Sequence, residues 1–182
     1  APTYSTSVSM QNGNEFGKYL LSINYLKRDG IQLETGFQRG TTRINSEFKI
    51  KEKLRVGQHV NISYSNTRGG NQINNAMRSS PLLPARDDEG NFTGTYNAAA
   101  GLGNAENGVA VLNRASDNYN KSMRVFGDIY ASLEVMDRLT VKTSIGADVQ
   151  YYNGRFFTAL NPEHSEPRST NTLAEQDAQN FQ

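Results

Sequence analysis

Three consecutive carboxylates, Asp87-Asp88-Glu89, form the densest acid group in the chain and the first place to look for general acid–base or hydrolytic chemistry. They run straight into Gly90-Asn91, and Asp, Gly and Asn are the residues that tight turns select, so a solvated turn is the plainer reading. The run also misses the D-x-[DN]-x-[DN]-G spacing of a calcium loop. His59 and His164 are the two histidines, and neither has a second ligand at metal-binding spacing. With no cysteine there is no thiolate nucleophile, no disulfide framework and no Cys-based zinc site. Gly101-Leu102-Gly103-Asn104-Ala105-Glu106 begins as a dinucleotide loop does, but it lacks the third glycine and no strand precedes it. Asn61-Ile62-Ser63, Asn91-Phe92-Thr93 and Asn120-Lys121-Ser122 match the glycosylation sequon, two of them on or beside strands, where a coincidence of composition suffices. No enzyme, cofactor or metal centre is expected from this inventory.

Binding is better supported. Arg86, Phe92, Tyr96, Tyr119, Tyr152 and Phe156 fall in or next to long polar connections, where rings beside Asn and Arg can stack on sugars or hold peptide side chains. These six are the candidate contacts with a substrate or protein partner. Lys plus Arg number 19 against 18 Asp plus Glu, so the net charge of +1 offers no field to gather nucleic acid. No run of about 18 apolar residues provides a membrane helix, and Ala1 opens no basic, apolar, small-residue signal pattern. A membrane barrel escapes both tests, because its strands alternate.

The elements that must position these residues are strands. Alternation of apolar and polar residues predicts six, over about 4–11, 18–27, 39–50, 54–65, 122–136 and 139–152. Asn12-Gly13-Asn14-Glu15, Lys51-Glu52-Lys53 and Met136-Asp137-Arg138 are short turns between them. A long loop over 66–121 and an irregular polar tail over 153–182 complete the reading. Within the loop, Ile73, Ala76 and Met77 lie at helix spacing ahead of Pro81, and Val109, Val111 and Leu112 form a second apolar cluster.

Two regularities decide the kind of β protein. On each strand one row, such as Leu54, Val56, Gln58, Val60, Ile62 and Tyr64, carries no charge, while the other holds residues such as Arg43, Glu47, Arg55, Arg124, Asp128 and Asp148. Short and long connections also alternate along the chain. Outer-membrane barrels combine a charge-free lipid face, a polar lumen, tight periplasmic turns and long external loops. Tyr4, Tyr25, Tyr64 and Tyr151 lie on the apolar row at the long-loop ends, where an interfacial aromatic girdle belongs. A soluble or cell-surface β-sheet binding domain is the alternative, since one-sided antiparallel sheets also alternate; a passive porin-like barrel is another. The expected fold is all-β, an antiparallel up-and-down sheet forming part of a transmembrane outer-membrane barrel. Six strands close no membrane barrel, so this would be an arc of a larger one.

Several segments resemble the SusC/RagA family of TonB-dependent outer-membrane transporters of Bacteroidetes. Gly13-Asn14-Glu15, Lys18-Tyr19-Leu20-Leu21-Ser22-Ile23-Asn24-Tyr25 and Asp29-Gly30-Ile31 are similar to that family's early hairpin, with Asn12 in place of a first glycine. Arg43-Ile44-Asn45, Leu54-Arg55-Val56-Gly57 and Asn61-Ile62-Ser63-Tyr64 are similar to the next hairpin. Ser80-Pro81-Leu82-Leu83-Pro84-Ala85-Arg86-Asp87-Asp88-Glu89-Gly90-Asn91 resembles its proline-containing loop ending in D-x-x-G-N. The resemblance implies import of oligosaccharides or peptides captured with a SusD-like surface lipoprotein, in the bacterial outer membrane and against its lipid. It also implies energy from the TonB complex, through an N-terminal region and plug domain absent from this chain.

Overall fold

The computed structural model describes residues 1–95, 102–164 and 166–182, and one antiparallel sheet dominates it. Its strands are β1 (Thr3–Gly13), β2 (Gly17–Asp29), β3 (Gly36–Lys51), β4 (Leu54–Arg68), β5 (Tyr119–Met136), β6 (Leu139–Thr158) and β7 (Thr172–Phe181). They lie side by side in chain order, so every connection is a simple hairpin and all the long ones emerge at one end. β1 to β6 run longer than alternation alone marks, because pairing continues into the polar residues beyond the apolar band.

Register makes the two faces continuous across strands. Ile44 pairs with Val60, Val60 with Gly127, and Gly127 with Ala147. Two strand pairs earlier, Val8 meets Ile23. A one-residue slip anywhere would swap the apolar and polar rows, so this agreement is what a one-sided sheet demands. At the opposite end from the long loops, β3 and β5 each carry a register irregularity next to their two-residue turns, at Lys49/Lys51 and Glu134/Met136.

The irregular tail expected over 153–182 is corrected by the structure. β6 continues to Thr158 and β7 occupies Thr172–Phe181. β7 is hard to read because it pairs only with the outer part of β6, where the row that is apolar lower down turns polar: Asn153 faces Asp177 and Arg155 faces Glu175. Its row reaches the apolar band only at Phe181, opposite Val149.

The connection between β4 and β5 folds on itself. It contains α1 (Ile73–Arg78) and α2 (Gly108–Arg114). Asn107 caps α2, accepting from the amides of Val109 and Ala110 at 3.0 and 3.1 Å. Its amide nitrogen donates to the carbonyls of Ala85 and Thr93, both at 2.8 Å, which pins the middle of the loop to the helix start. Ala105, Ala110 and Leu112 are buried behind it. Gln32, in the β2–β3 connection, accepts from the Gln72 amide at 2.8 Å and so ties that shorter loop to α1.

Candidate functional site

Two regions gather chemistry, one on the polar face of the sheet and one in the loops. On the polar face Glu47, Gly57, Tyr130 and Ser144 form one row across β3 to β6, and Asn45, His59, Asp128 and Gly146 form the next. The Tyr130 ring lies against Gly57, and its hydroxyl donates to Glu47 Oε2 at 2.6 Å. Glu47 Oε1 also meets Lys18 and Arg55, each at 3.2 Å. His59 stacks on Tyr130, with centroids 5.3 Å apart, and its Nδ1 lies 3.1 Å from Asp128 Oδ1. Lys142 Nζ sits 4.0 Å from the Tyr130 ring centroid. Farther along the face, Arg124 Nε donates to Asp148 Oδ1 at 2.9 Å, and a second nitrogen, Nη2, completes the fork.

The loop region centres on Phe92. Arg86 bridges to Phe92 through the backbone, and its guanidinium lies 4.0 Å from that ring's centroid; Arg114 approaches the ring at 5.2 Å. Arg114 also makes a two-point pair with Glu163, at 2.7 and 3.1 Å, joining α2 to the β6–β7 connection. Arg86 Nη1 donates to the Gly90 carbonyl at 2.6 Å, closing the acidic turn. At Asp87 desolvation acts upward, yet hydrogen bonds from Asn91 and the Glu89 and Gly90 amides outweigh it and hold the carboxyl below its ordinary range. That Asp87 is bound up in its own turn, with Asn91 donating to Oδ1 at 2.7 Å, agrees with a structural part for the acidic run.

Of the six candidate contacts, the structure brings Arg86 and Phe92 together. Tyr119 begins β5, with Lys121 Nζ 4.0 Å over its ring. Tyr152 pairs with Ser122 on the polar face, and Phe156 lies farther out on β6, beside Val111 and Leu112 of α2. Tyr96 lies outside the described residues. Sequence reasoning missed Arg114, Glu163 and Asn107 in the loops, and missed Tyr130 as the centre of the polar-face cluster. For Tyr130 the signal was register, since only alignment of β4 with β5 sets it opposite Gly57. His164 proves to be a buried loop residue, its Nε2 2.8 Å from the Asn104 carbonyl oxygen. Among the described residues no group of three His, Cys, Asp or Glu is placed to hold a metal.

No family model matches the chain. TonB-dependent receptor P26 of Formosa agariphila is 30% identical over 95 residues, which cover 52% of this chain and 10% of that protein. TonB-dependent receptor P3 of the same organism is 25% identical over 154 residues, 78% of this chain and 15% of that protein. The RagAB peptide transporter superposes with a TM-score of 0.69 at 18% identity, over 98% of this chain and 21% of that chain. The RagAB peptide importer in its "open-open" state gives 0.66 at 17% identity, over the same shares. This chain therefore spans between a tenth and about a fifth of the length of the proteins it matches. In sequence the chain is similar to TonB-dependent receptors, and in fold its sheet is similar to part of the RagAB transporter chain.

Proposed function

We propose that the chain is one arc of the barrel of a TonB-dependent outer-membrane transporter that imports oligosaccharides or peptides with a SusD-like lipoprotein. The apolar face then meets lipid, the polar face lines the lumen, and the β4–β5 connection folds outside the cell. One observation carries the reading: the uncharged row of a neighbour-ordered sheet stands open. Ile23 and Ile129 are 51 and 59% exposed, although each has a paired strand on both sides. A soluble sheet covers such a face with a second layer. In a bilayer the lipid covers it, and the paired backbone satisfies its own hydrogen bonds.

The same orientation places Tyr4, Tyr25, Tyr64 and Tyr151 toward the long-loop end of that face, 59, 45, 48 and 40% exposed. Beyond them the row turns charged, at Arg155, Glu175 and Asp177, as a strand leaving the interface should. Phe48 and Tyr19, half exposed, mark the opposite end. The similarity to proteins named TonB-dependent receptors supports the transport reading, and the RagAB likeness supports a lipoprotein companion.

Fractionation of cells making the full-length protein tests the assignment. Recovery in the outer membrane is expected, with single cysteines at Asn14 or Glu52 resisting an impermeant thiol reagent on intact cells while one at Glu89 reacts. Recovery in the soluble fraction, or equal labelling at all three, would reject it.

A further inference from the structure

The cations of the polar face are not evenly matched. On β1 to β4 the inward row holds Lys18, Arg28, Arg39, Arg43, Lys49 and Arg55, and its sole carboxylate is Glu47. Glu47 is already shared by Lys18 and Arg55 near the short turns. On β5 and β6 the balance reverses, and Arg124 is consumed by Asp148. Arg28, Arg39, Arg43 and, beside the short turns, Lys49 are left with no acid, no ring and no side-chain hydrogen-bond partner among the described residues, and the three arginines are exposed.

Their placement is ordered. Arg39 and Arg43 are four residues apart on one face of β3, about 13 Å along the strand, and Arg28 on β2 pairs with Phe37 one step farther out. The three descend from the Gly30–Thr35 connection to the middle of the sheet. Uncharged neighbours surround them: Ser22 and Asn61 flank Arg43 in register, and Leu26 and Ser65 flank Arg39. A guanidinium presents a planar fork that matches a carboxylate, and unpaired positive charge in a confined cleft concentrates anions.

We infer that Arg28, Arg39 and Arg43 form a descending track for carboxylate groups of the imported substrate, which makes that substrate a linear molecule bearing repeated carboxylates. This deepens the transport reading and rests on it, since the track lies in a lumen only if the face does. The outer half of the wall is the part nearest the external loops, where a ligand arrives. The inner half differs, because there Glu47 and Tyr130 already close a network with Lys18, Arg55, His59 and Lys142, leaving Lys49 as a single unmatched cation among the described residues.

The test uses the full-length protein in nanodiscs and two matched pairs of probes: a hexagalacturonate with its methyl ester, and a hexaglutamate peptide with its glutamine counterpart. At least one acidic probe is expected to bind more tightly than its neutral partner, by a margin that shrinks as salt rises. Whether saccharide or peptide shows the margin identifies the source of the carboxylates. Replacing both arginines, Arg39→Gln with Arg43→Gln, should weaken that acidic probe about tenfold and leave the neutral one unchanged, whereas Arg39→Lys with Arg43→Lys should keep most of the preference. Equal affinity of acidic and neutral probes would overturn the inference, as would a glutamine variant indistinguishable from the parent. A glutamine variant with lowered heat stability and equal losses for acidic and neutral probes would also overturn it, and would assign the arginines to a segment of the protein's own chain. Outer-membrane recovery is scored separately, so failure here leaves the transport reading standing.

Discussion

The hydroxyl of Tyr130 reaches over Gly57 to donate a 2.6 Å hydrogen bond to Glu47, joining β5 to β3 across the strand between them. Tyr130 is 7% exposed on a face that is otherwise open, because its ring lies against the one position in the row that lacks a Cβ. An aromatic ring over a glycine restores the packing that the glycine forfeits.

Gly57→Ala should therefore cost about 1–3 kcal/mol, since the new methyl group enters space the Tyr130 ring fills. Tyr130→Phe should cost less, about 0.5–1.5 kcal/mol, because Glu47 keeps Lys18 and Arg55. Urea unfolding of the full-length protein in liposomes measures both. A Gly57→Ala variant as stable as the parent would show that the ring does not hold this position.

On the opposite face, Val60 lies between Ile44 and Gly127 in register, with no charged side chain on that row. Val60→Arg should cost roughly 2–4 kcal/mol for a guanidinium near the bilayer midplane, while Asn61→Arg, one residue along, should cost little. Refolding into liposomes of defined thickness reads the difference. Equal stability of the two variants would contradict the assignment of faces.

How much of this was legible from sequence differs between these two faces. The Val60 row could be read because alternation is local: each strand announces its own apolar side. The Tyr130–Glu47 bond joins residues 83 apart in the chain, and nothing near either one announces the other. β7 was missed for a related reason, since Glu175 and Asp177 occupy the row that is apolar farther down the sheet, and a strand outside the apolar band has no hydrophobic period to detect. In the loops the apolar spacing of Ile73, Ala76 and Met77 anticipated α1, whereas the grouping of Arg86 and Phe92 with Arg114 and Glu163 depends on tertiary packing. Tyr119, Tyr152 and Phe156, chosen with Phe92 for their loop positions, lie on β5 and β6 instead, because composition gives no direction to a side chain.

The Arg114–Glu163 pair should be the principal tie between α2 and the β6–β7 connection. Glu163 has a side chain only 9% exposed and both its oxygens are engaged by the guanidinium. Removing one member leaves the other poorly solvated, a loss of about 2–4 kcal/mol to the loop assembly. Arg114→Met should raise hydrogen exchange at Ala110 and Leu112 and free the Phe92 ring on one side, with β1 to β6 unaffected. Unchanged protection of α2 in that variant would assign the loop's cohesion to Asn107 and the small apolar core instead.

The claim on which the rest depends is that the uncharged row contacts lipid while its neighbours contact water. Single spin labels placed in turn from Met123 to Leu133 on β5 of the full-length protein, reconstituted in bilayers, test it most directly. The account predicts that collision with oxygen, which partitions into lipid, peaks at Met123, Val125, Gly127, Ile129, Ala131 and Leu133. Collision with a water-soluble nickel reagent should instead be highest at the intervening positions, apart from Tyr130, which Glu47 and Gly57 shelter. A profile with no period of two, or one with oxygen and nickel exchanged, would contradict it.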